Sequence, residues 1–379
     1  MMERIVIAAY CRSAFQPAHR GLFVKTRPDD LLAAVIKSLM DGVEFDPNLI
    51  EDLVVGCAFP EAEQGFNMAR MAVFLSGLPQ SVGGMTLNRF CGSSMQAAHV
   101  AAGAMAMGAA MGAGEAYLAA GVESMSRVPI EGFNPMPNPK LFEAMPQAYV
   151  SMGITAENLA KQYGISRKAQ EEFAVKSHQK AATALEKGHF AKEICAVHGV
   201  GEDGCIRPDT NMESLAGLKP AFDEKGSVTA GTSSPLTDGA VALLLCTEDF
   251  AMRHGLKPLA AIRSFAISGC APEIMGIGPV ESSKKALKRA GLSLQDMDVI
   301  ELNEAFAAQA MACMEALNMD ENKVNLDGGA LALGHPLGAT GARILGKAAQ
   351  LLQREGKEFA LATQCIGGGQ GIATILQAI

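Results

Sequence analysis

TLNRFCGSSMQAA, residues 86–98, leads from a short apolar segment through Cys91 into a series of small residues. This pattern predicts a strand, a sharp turn and a helix, with Cys91 at the turn near the positive end of the helix dipole. A thiol in that position has a lowered pKa and reacts as a nucleophilic thiolate. Cys91 is therefore a candidate nucleophile, although small buried cysteines without a chemical role are more common in general.

The order of segments around Cys91 is repeated near the other end of the chain. Each copy has a predicted strand, a segment of glycines and small residues that opens a helix, and a closing strand. The first copy comprises LVVGCAFPEA (53–62), residues 86–98 and EAYLAAGVES (115–124), and the second comprises VIELNEAFAA (299–308), VNLDGGALALGHPLGATGA (324–342) and EFALATQCIGGG (358–369). Strands that alternate with helices in two similar copies predict an α/β fold of two duplicated halves around a shared site.

The stretch between the two copies differs from them in composition. VPIEGFNPMPNPKLFEAMP (128–146) is rich in proline and irregular, and a predicted helix with Ser166 as its N-cap follows over residues 166–188. The apolar face of this helix consists of Ala169, Phe173, Ala181 and Leu185. We interpret this stretch as an inserted domain, so that residues 1–121 with 237–256 form the first half, 122–236 the insert and 257–379 the second half.

Length and composition are those of a large globular protein. The chain has 379 residues, of which 49% are hydrophobic, and at about 150 residues per domain this is enough for two or three domains. A formal net charge of -8 leaves no basic face for nucleic acid, so we expect no nucleic-acid partner. The nine cysteines include no Cys-x-x-Cys pair, which indicates reduced thiols and a cytoplasmic protein.

No segment predicts export or membrane insertion. MMERIVIAAYCRSAF (1–15) has only six apolar residues after Arg4, too few for the hydrophobic region of a signal peptide. Residues 97–114 carry no formal charge but consist almost entirely of Ala, Gly and Met, which favours a helix buried between sheets over a membrane span.

Three further segments combine a reactive side chain with glycines or small residues. His335 lies in GGALALGHPLGATGAR (328–343), and a histidine in a tight glycine turn is a candidate general base, with a structural loop histidine as the alternative. Cys365 lies in TQCIGGGQG, directly after a predicted strand and before three glycines whose N–H groups could bind an oxyanion. Asn303 lies in ELNEAFAAQ at the end of a strand, where an asparagine is usually a helix cap.

Spacing argues against other uses of these residue types. The cysteines are scattered and no second histidine lies at ligand spacing from His335, so no metal site is expected. No Gly-Lys-Ser/Thr follows Cys365, which excludes a P-loop, and no acidic residue at Rossmann spacing supports a dinucleotide site. A Gly-x-Ser-x-Gly elbow for Ser-His-Asp hydrolysis is also missing from the sequence.

Taken together, NRFCGSSMQAA, ELNEAFAAQ, GGALALGHPLGATGAR and TQCIGGGQG resemble, in this order, the signature of the thiolase family. Similar segments extend over essentially the whole chain, namely EAEQGFNMAR, MGITAENLA, LKPAFD and VTAGTSSPLTDGA. The resemblance implies a five-layered αβαβα fold of two similar halves, with an inserted loop domain that covers the substrate. It also implies no metal and no redox cofactor, with coenzyme A as a substrate.

The resemblance assigns roles to the matching residues. Cys91 would take the acyl group as a thioester, His335 would deprotonate it, and Cys365 would be the acid and base at the acetyl methyl carbon. Asn303 would hold a water that forms one oxyanion hole with His335, and the N–H groups of Cys91 and Gly367 would form the other. The channel for pantetheine would be lined by Met152, Phe222, Ala230, Ser234, Ala305 and Phe306, and Arg207 would lie near the adenine. For Met152 and Phe222, ordinary core packing is a serious alternative.

Within the family, the chain is most similar to the bacterial 3-ketoacyl-CoA thiolases of fatty-acid β-oxidation. We therefore expect cleavage of 3-ketoacyl-CoA by CoA, with condensation of two acetyl-CoA as the alternative and an inactive acyl-CoA or lipid-binding protein as a further one. A ketosynthase would carry a second histidine where Cys365 stands. The resemblance implies a homodimer or homotetramer, and a hydratase/dehydrogenase partner in β-oxidation is left open.

Two segments depart from the family pattern. Cys11 and Ser13 occupy a turn that commonly reads Arg-Thr-Pro, and residues 193–207, EICAVHGVGEDGCIR, are shorter than in most members. The second departure bears on how the CoA nucleotide is held.

Overall fold

The computed structural model describes residues 3–111 and 114–379 of the chain. The strands are β1 (Ile5–Ser13), β2 (Gln16–Pro17), β3 (Ile50–Gly56), β4 (Gly83–Leu87), β5 (Ala116–Ser124), β6 (Ile194–Cys195), β7 (Thr237–Thr247), β8 (Ala260–Gly269), β9 (Val299–Leu302), β10 (Phe359–Ile366) and β11 (Gln370–Gln377). The α-helices are α1 (Pro28–Asp41), α2 (Met68–Leu75), α3 (Ser93–Met111), α4 (Pro139–Ala144), α5 (Met152–Gln162), α6 (Arg167–Glu186), α7 (Met212–Ala216), α8 (Glu248–Arg253), α9 (Gly278–Ala290), α10 (Ala307–Leu317), α11 (Ala330–Leu333) and α12 (Leu337–Glu355).

The strand order confirms the predicted duplication. The strands run in the order β4-β3-β5-β7-β1-β8-β11-β10-β9, with β2 paired to β7 and β6 to β1. From the centre outward, the first half has the order β1, β7, β5 and β3, and the second half has the matching order β8, β11, β10 and β9. The third strand of the first half is β4, and its place in the second half is taken by a parallel bridge from Ile300 to Val324. The halves meet where β1 and β8 pair through Val6 with Ala261 and Ile7 with Ala260.

Buried apolar side chains fill the spaces between the five alternating layers of helices and strands. The central cluster joins α3 and α12 to strands of both halves. A second cluster packs α1 and α2 on the outer face of the first half, and a third packs α9 and α10 on the outer face of the second. Small residues allow the two central helices to approach closely, because a Cβ at Gly341 of α12 would lie 2.4 Å from the backbone nitrogen of Met95 in α3.

The uncharged stretch over residues 97–114 lies largely in α3, whose buried side chains pack between strands of both halves, while residues 112–113 lie outside the described part. Within the described ranges, no helix is long and apolar enough to cross a membrane.

The inserted stretch contributes α4 to α7, and α6 confirms the predicted helix. Ser166 caps it by accepting the N–H of Ala169 at 3.2 Å. The predicted apolar face does turn towards the core: Ala181 is buried, and Ala169, Phe173 and Leu185 are partly buried and pack against apolar clusters. The buried side chains of α6 are Gln170, Glu171, Ala174, Ser177, His178, Ala181 and Ala184. The buried face is mixed, because its alanines pack in apolar clusters while Ser177 donates to the buried carboxylate of Glu304 in the second half.

Candidate active site

Cys91 lies in a tight turn between β4 and α3. Phe90 just before it has a φ of 42°, a left-handed conformation that a bulky residue adopts only when its surroundings hold it there. The hydroxyl of Ser93 accepts the N–H of Arg89 at 2.9 Å and donates to the carbonyl of Phe90 at 2.6 Å, which closes the turn. A Cβ at Gly92 would lie 2.5 Å from Cδ1 of Ile366, so β10 packs directly against the turn.

The expected lowering of the Cys91 pKa was wrong. The side chain is 9% exposed, and burial raises the pKa of its thiol to about 11. The N–H of Gly367 donates to the sulfur and opposes this shift, while the nearby Glu123 carboxylate adds to it. The helix begins where the sequence predicts, but removal of the thiolate from water outweighs the favourable dipole. Cys91 is therefore a neutral thiol at rest, and a base must remove its proton.

His335 lies between α11 and α12, and its ring is held in one orientation. Its backbone N–H donates to the hydroxyl of Thr237 at 3.0 Å, and its Nδ1 lies 2.6 Å from Oγ1 of Thr340. The Thr340 hydroxyl donates its single proton to the carbonyl of Pro336 at 2.9 Å, so it can only accept from Nδ1. The proton of the neutral ring therefore sits on Nδ1, and Nε2 carries the free lone pair.

The protonation state of His335 suits a base. Burial lowers the pKa of His335 to about 3, and the Arg343 guanidinium lowers it further. The imidazole is therefore neutral near pH 7 and can accept a proton at Nε2.

Asn303 follows β9 and faces His335. Its backbone N–H continues the ladder to the carbonyl of Thr363 at 3.0 Å, so it extends the sheet and does not cap a helix. Its Nδ2 lies 3.4 Å from Nε2 of His335. Its Oδ1 is buried and has no hydrogen-bond partner within the described part of the chain. This acceptor is available to a water or a substrate donor.

Cys365 lies one residue inside β10, where the sequence predicted that the strand had already ended. The side chain is 1% exposed, burial raises the pKa of its thiol well above the ordinary value, and a negative charge on Cys91 would raise it further. The two thiols are thus close enough to influence each other, and ionisation of one opposes ionisation of the other. Gly367 follows in the β10–β11 hairpin, and its N–H donates to the sulfur of Cys91.

Several residues predicted to line pantetheine are brought together beside Cys365. Met152, Ala305 and Phe306 pack in one apolar cluster with the Cys365 side chain. Phe222 stacks edge-on against Phe306 with ring centroids 5.8 Å apart. The N–H of Ser234 donates to the carbonyl of Ala305 at 3.0 Å, which holds the extended end of the insert against the same wall.

The structure does not join the other two predicted CoA residues to that cluster. Ala230 is exposed on a short 3-10 helix, Ala230–Thr232, at the end of the insert. Arg207 is also exposed, and its backbone N–H donates to Nδ1 of His178 in α6 at 3.2 Å.

Sequence reasoning missed two residues that hold the turn around Cys91. Glu123, at the end of β5, is 1% exposed and accepts the N–H groups of Ala58 at 2.8 Å and Gly338 at 2.9 Å. It thereby ties the first turn of α12 to the segment after β3. The amide of Gln364 donates to the carbonyl of Cys91. The signal for Glu123 was an acidic residue in an otherwise apolar strand.

Metal binding has no obvious place here. Within residues 3–111 and 114–379, no group of three or more His, Cys, Asp or Glu side chains could hold a metal ion. The absence of metal from the chemistry stays a prediction.

Comparison with known families and proteins gives one consistent result. The family model for the thiolase N-terminal domain matches residues 5–249, and the model for the thiolase C-terminal domain matches residues 256–378. A 3-ketoacyl-CoA thiolase of Idiomarina loihiensis is 46% identical over 395 residues and covers 100% of both chains. A 3-ketoacyl-CoA thiolase of Bacillus subtilis is 44% identical over 99% of this chain and 100% of its own length.

A solved structure shares the whole architecture. Human mitochondrial 3-ketoacyl-CoA thiolase in complex with CoA superposes with a TM-score of 0.91 at 35% sequence identity. The match covers 100% of this chain and 98% of the human chain.

Proposed function

Because this chain belongs to the thiolase family, we propose that it cleaves 3-ketoacyl-CoA with CoA to acetyl-CoA and a shortened acyl-CoA. The observation that carries this proposal is the pair of buried, protonated thiols Cys91 and Cys365, which influence each other's ionisation. A neutral imidazole, His335, lies just before α12, the helix that packs against α3. Carbon–carbon cleavage next to a thioester needs one nucleophile and one separate acid, and two thiols of which one opposes ionisation of the other supply them.

The first step forms a thioester on Cys91. His335 takes the thiol proton at Nε2, and the thiolate attacks the ketone carbon of the substrate. The attraction between imidazolium and thiolate in the buried site offsets part of the cost of ionising a thiol with a pKa of about 11. Thr340 then stabilises the imidazolium by accepting a hydrogen bond from Nδ1–H.

The carbon–carbon bond then breaks, and its electron pair passes to the carbon that becomes the methyl group of acetyl-CoA. Cys365 protonates this carbon, because its pKa is raised well above the ordinary value and it stays a thiol while Cys91 is ionised. In the second half, the Cys365 thiolate takes the proton of the incoming CoA thiol. The CoA sulfur attacks the acyl carbon, and the Cys91 sulfur leaves and regains its proton from His335.

Two negatively charged oxygens develop during these steps. We assign the enolate oxygen to the protonated Nε2 of His335 and to a water held by Asn303, whose buried Oδ1 has no partner among the described residues. The tetrahedral oxygen on the acyl carbon is assigned to the N–H groups of Cys91 and Gly367. The support for this assignment is that the Gly367 N–H already points at the Cys91 sulfur.

The CoA thioester arm is assigned to the wall formed by Met152, Phe222, Ser234, Ala305 and Phe306. Met152, Ala305 and Phe306 pack with Cys365, Phe222 packs against Phe306, and the N–H of Ser234 donates to the carbonyl of Ala305. Ala230 remains a proposed contact of pantetheine, and Arg207 remains a proposed contact near the adenine. We keep the proposed division into two halves and an insert over residues 122–236. In its support, β5 ends at Ser124 and β7 begins at Thr237.

The expected assembly is a homodimer or homotetramer in the cytoplasm. The outer strand β4 has one sheet neighbour among the described residues, and Met71, Phe74 and Met85 expose apolar surface beside it. Light scattering coupled to size-exclusion chromatography gives the oligomeric state. Association with a hydratase/dehydrogenase remains a proposal, and co-purification with such a partner tests it.

The deciding experiment compares CoA-dependent cleavage of acetoacetyl-CoA and of a long-chain 3-ketoacyl-CoA, with Cys91→Ala as the control. Cleavage of the long substrate at a comparable or higher rate, abolished by Cys91→Ala, supports the proposed function. Activity on acetoacetyl-CoA alone indicates the alternative, condensation of two acetyl-CoA. Binding of acyl-CoA without turnover, and without an acyl adduct on Cys91 by peptide mass spectrometry, contradicts an enzymatic role.

A further inference from the structure

A pair of thiols lies outside the active site, where the insert joins the core. Cys11 in β1 and Cys195 in β6 are both half-buried and unbridged. β6 pairs with β1 in parallel, with Arg12 opposite Ile194 and Ser13 opposite Cys195. Cys195 is therefore diagonal to Cys11, and both side chains project to the same face of the sheet.

The two thiols contact each other and share a third group. A hydrogen bond joins the Cys11 and Cys195 side chains. Ser38 of α1 lies beside both, and its Oγ is 3.8 Å from the sulfur of Cys11. Partial exposure gives a small oxidant access to this pair, whereas Cys91 and Cys365 are buried.

The local charges select Cys11 as the reactive member. The hydrogen bond from Cys195 lowers the pKa of Cys11 to about 7 against the opposing effect of burial, with help from Ser38 and the Arg12 guanidinium. The same hydrogen bond raises the pKa of Cys195, so Cys195 stays protonated while Cys11 is a thiolate. A thiolate near neutral pH beside a protonated thiol is the arrangement of an attacking and a resolving cysteine.

We propose that Cys11 and Cys195 form a reversible redox-modification site, in which a hydroperoxide oxidises Cys11 and Cys195 resolves the product as a disulfide. The Cys11 thiolate attacks one peroxide oxygen, the O–O bond breaks, and a sulfenic acid is formed together with hydroxide, or with an alkoxide when the oxidant is an organic hydroperoxide. The Cys195 sulfur then attacks the Cys11 sulfur, and water leaves. Two thiols are oxidised, and the hydroperoxide is reduced to water or an alcohol. Two molecules of a small thiol such as glutathione reverse the bond by exchange.

The disulfide would tie β6, which lies within the insert, to the core strand β1. Arg12 holds Glu193 beside the pair, through its N–H to the Glu193 carbonyl at 2.8 Å and its guanidinium to the carboxylate. A diagonal pair lies farther apart than directly paired residues, so the disulfide draws Cys195 towards β1 with Glu193 as the fixed point. The segment that follows runs to Arg207, a proposed CoA contact. The site itself is independent of the proposed function.

The test uses the full-length reduced protein, treated with hydrogen peroxide and then blocked with N-ethylmaleimide. Digestion with trypsin and a glutamate-specific protease releases Cys11 in residues 5–12 and Cys195 in residues 194–202, and separates Cys195 from Cys205 because cleavage after Glu202 divides them. The expected product is a cross-linked pair of these two peptides that glutathione removes. In Cys195→Ser, dimedone should trap a sulfenic acid on Cys11.

Cys270 is the matched control, since it is also half-buried but burial raises the pKa of its thiol. Near pH 7, alkylation of Cys11 should be roughly five- to tenfold faster than that of Cys270, after allowance for the weaker nucleophilicity of a low-pKa thiol. Equal rates at the two cysteines, or peroxide oxidation without the cross-linked peptides, would overturn the proposal. The wild-type peptide map decides this even if a serine variant folds poorly.

Discussion

Replacement of Thr340 by valine tests which nitrogen of His335 carries the proton. Thr340 is fully buried, and its hydroxyl lies 2.6 Å from Nδ1 of His335. Valine keeps the shape of the side chain but leaves the Nδ1 proton without an acceptor, at rest and in the imidazolium. A buried polar group without a partner costs about 1–3 kcal/mol. If the whole cost falls on the transition state, kcat/KM should decrease by about 5- to 150-fold.

The assay is steady-state cleavage of acetoacetyl-CoA by CoA, followed by loss of the substrate's enolate absorbance. Thr340→Ser is the matched control, because it restores the acceptor and should keep most of the activity. Circular dichroism and the melting temperature of both variants separate a catalytic loss from a folding defect. Wild-type kcat/KM for a folded Thr340→Val would refute the argument that this hydroxyl sets the tautomer.

Asn303→Ala should lower kcat by roughly 10²- to 10³-fold, the usual cost of one lost oxyanion donor, with an unchanged melting temperature; near-wild-type turnover would remove Asn303 from the mechanism. Asp327→Asn should destabilise the protein by about 1.5–3 kcal/mol, because Lys347 loses a charged partner at 2.6 Å and keeps Glu193 at 3.2 Å. Burial would raise the pKa of Asp327, but hydrogen bonds from Arg354 and Lys347 hold it below its usual range. The stability of the wild type should therefore fall as the pH drops below about 4. In urea titrations, the free energy of unfolding of the variant should depend less on pH over this range. Gly153→Ala places a Cβ 2.1 Å from the ring of Phe222 and should raise the KM for CoA with little change in kcat, and an unchanged KM would place that ring outside the CoA site.

Much of the architecture was predictable because it depends on local patterns. The strands predicted within LVVGCAFPEA (53–62) and EAYLAAGVES (115–124) are confirmed by β3, which ends at Gly56, and by β5. The two copies of one segment order predicted a duplicated α/β fold, and the mirrored strand order confirms it. Apolar periodicity and turn residues act over a few positions, so they can be read without knowledge of the tertiary contacts.

The buried polar groups of α6 show what such patterns miss. The sequence predicted an apolar face with Phe173 and Leu185, which pack against core clusters, but not that Ser177 is buried and donates to the carboxylate of Glu304 at 2.6 Å. Glu304 also accepts from Asn325 in the second half. A buried carboxylate must be hydrogen-bonded, and the partner that satisfies it comes from a helix more than a hundred residues away in the chain. No local sequence pattern predicts a hydrogen bond between two such distant residues.

The reactive groups follow the same division. The sequence alone indicated Cys91, His335 and Cys365 as candidate reactive groups, because a reactive side chain among glycines and small residues is a local signal, and the family resemblance added Asn303. Their protonation states were decided by the tertiary structure. Burial raises the pKa of Cys91 against the helix dipole, and Thr340 together with the carbonyl of Pro336 places the His335 proton on Nδ1. A pKa and a tautomer depend on everything packed around the group, and that environment exists only after distant segments have come together.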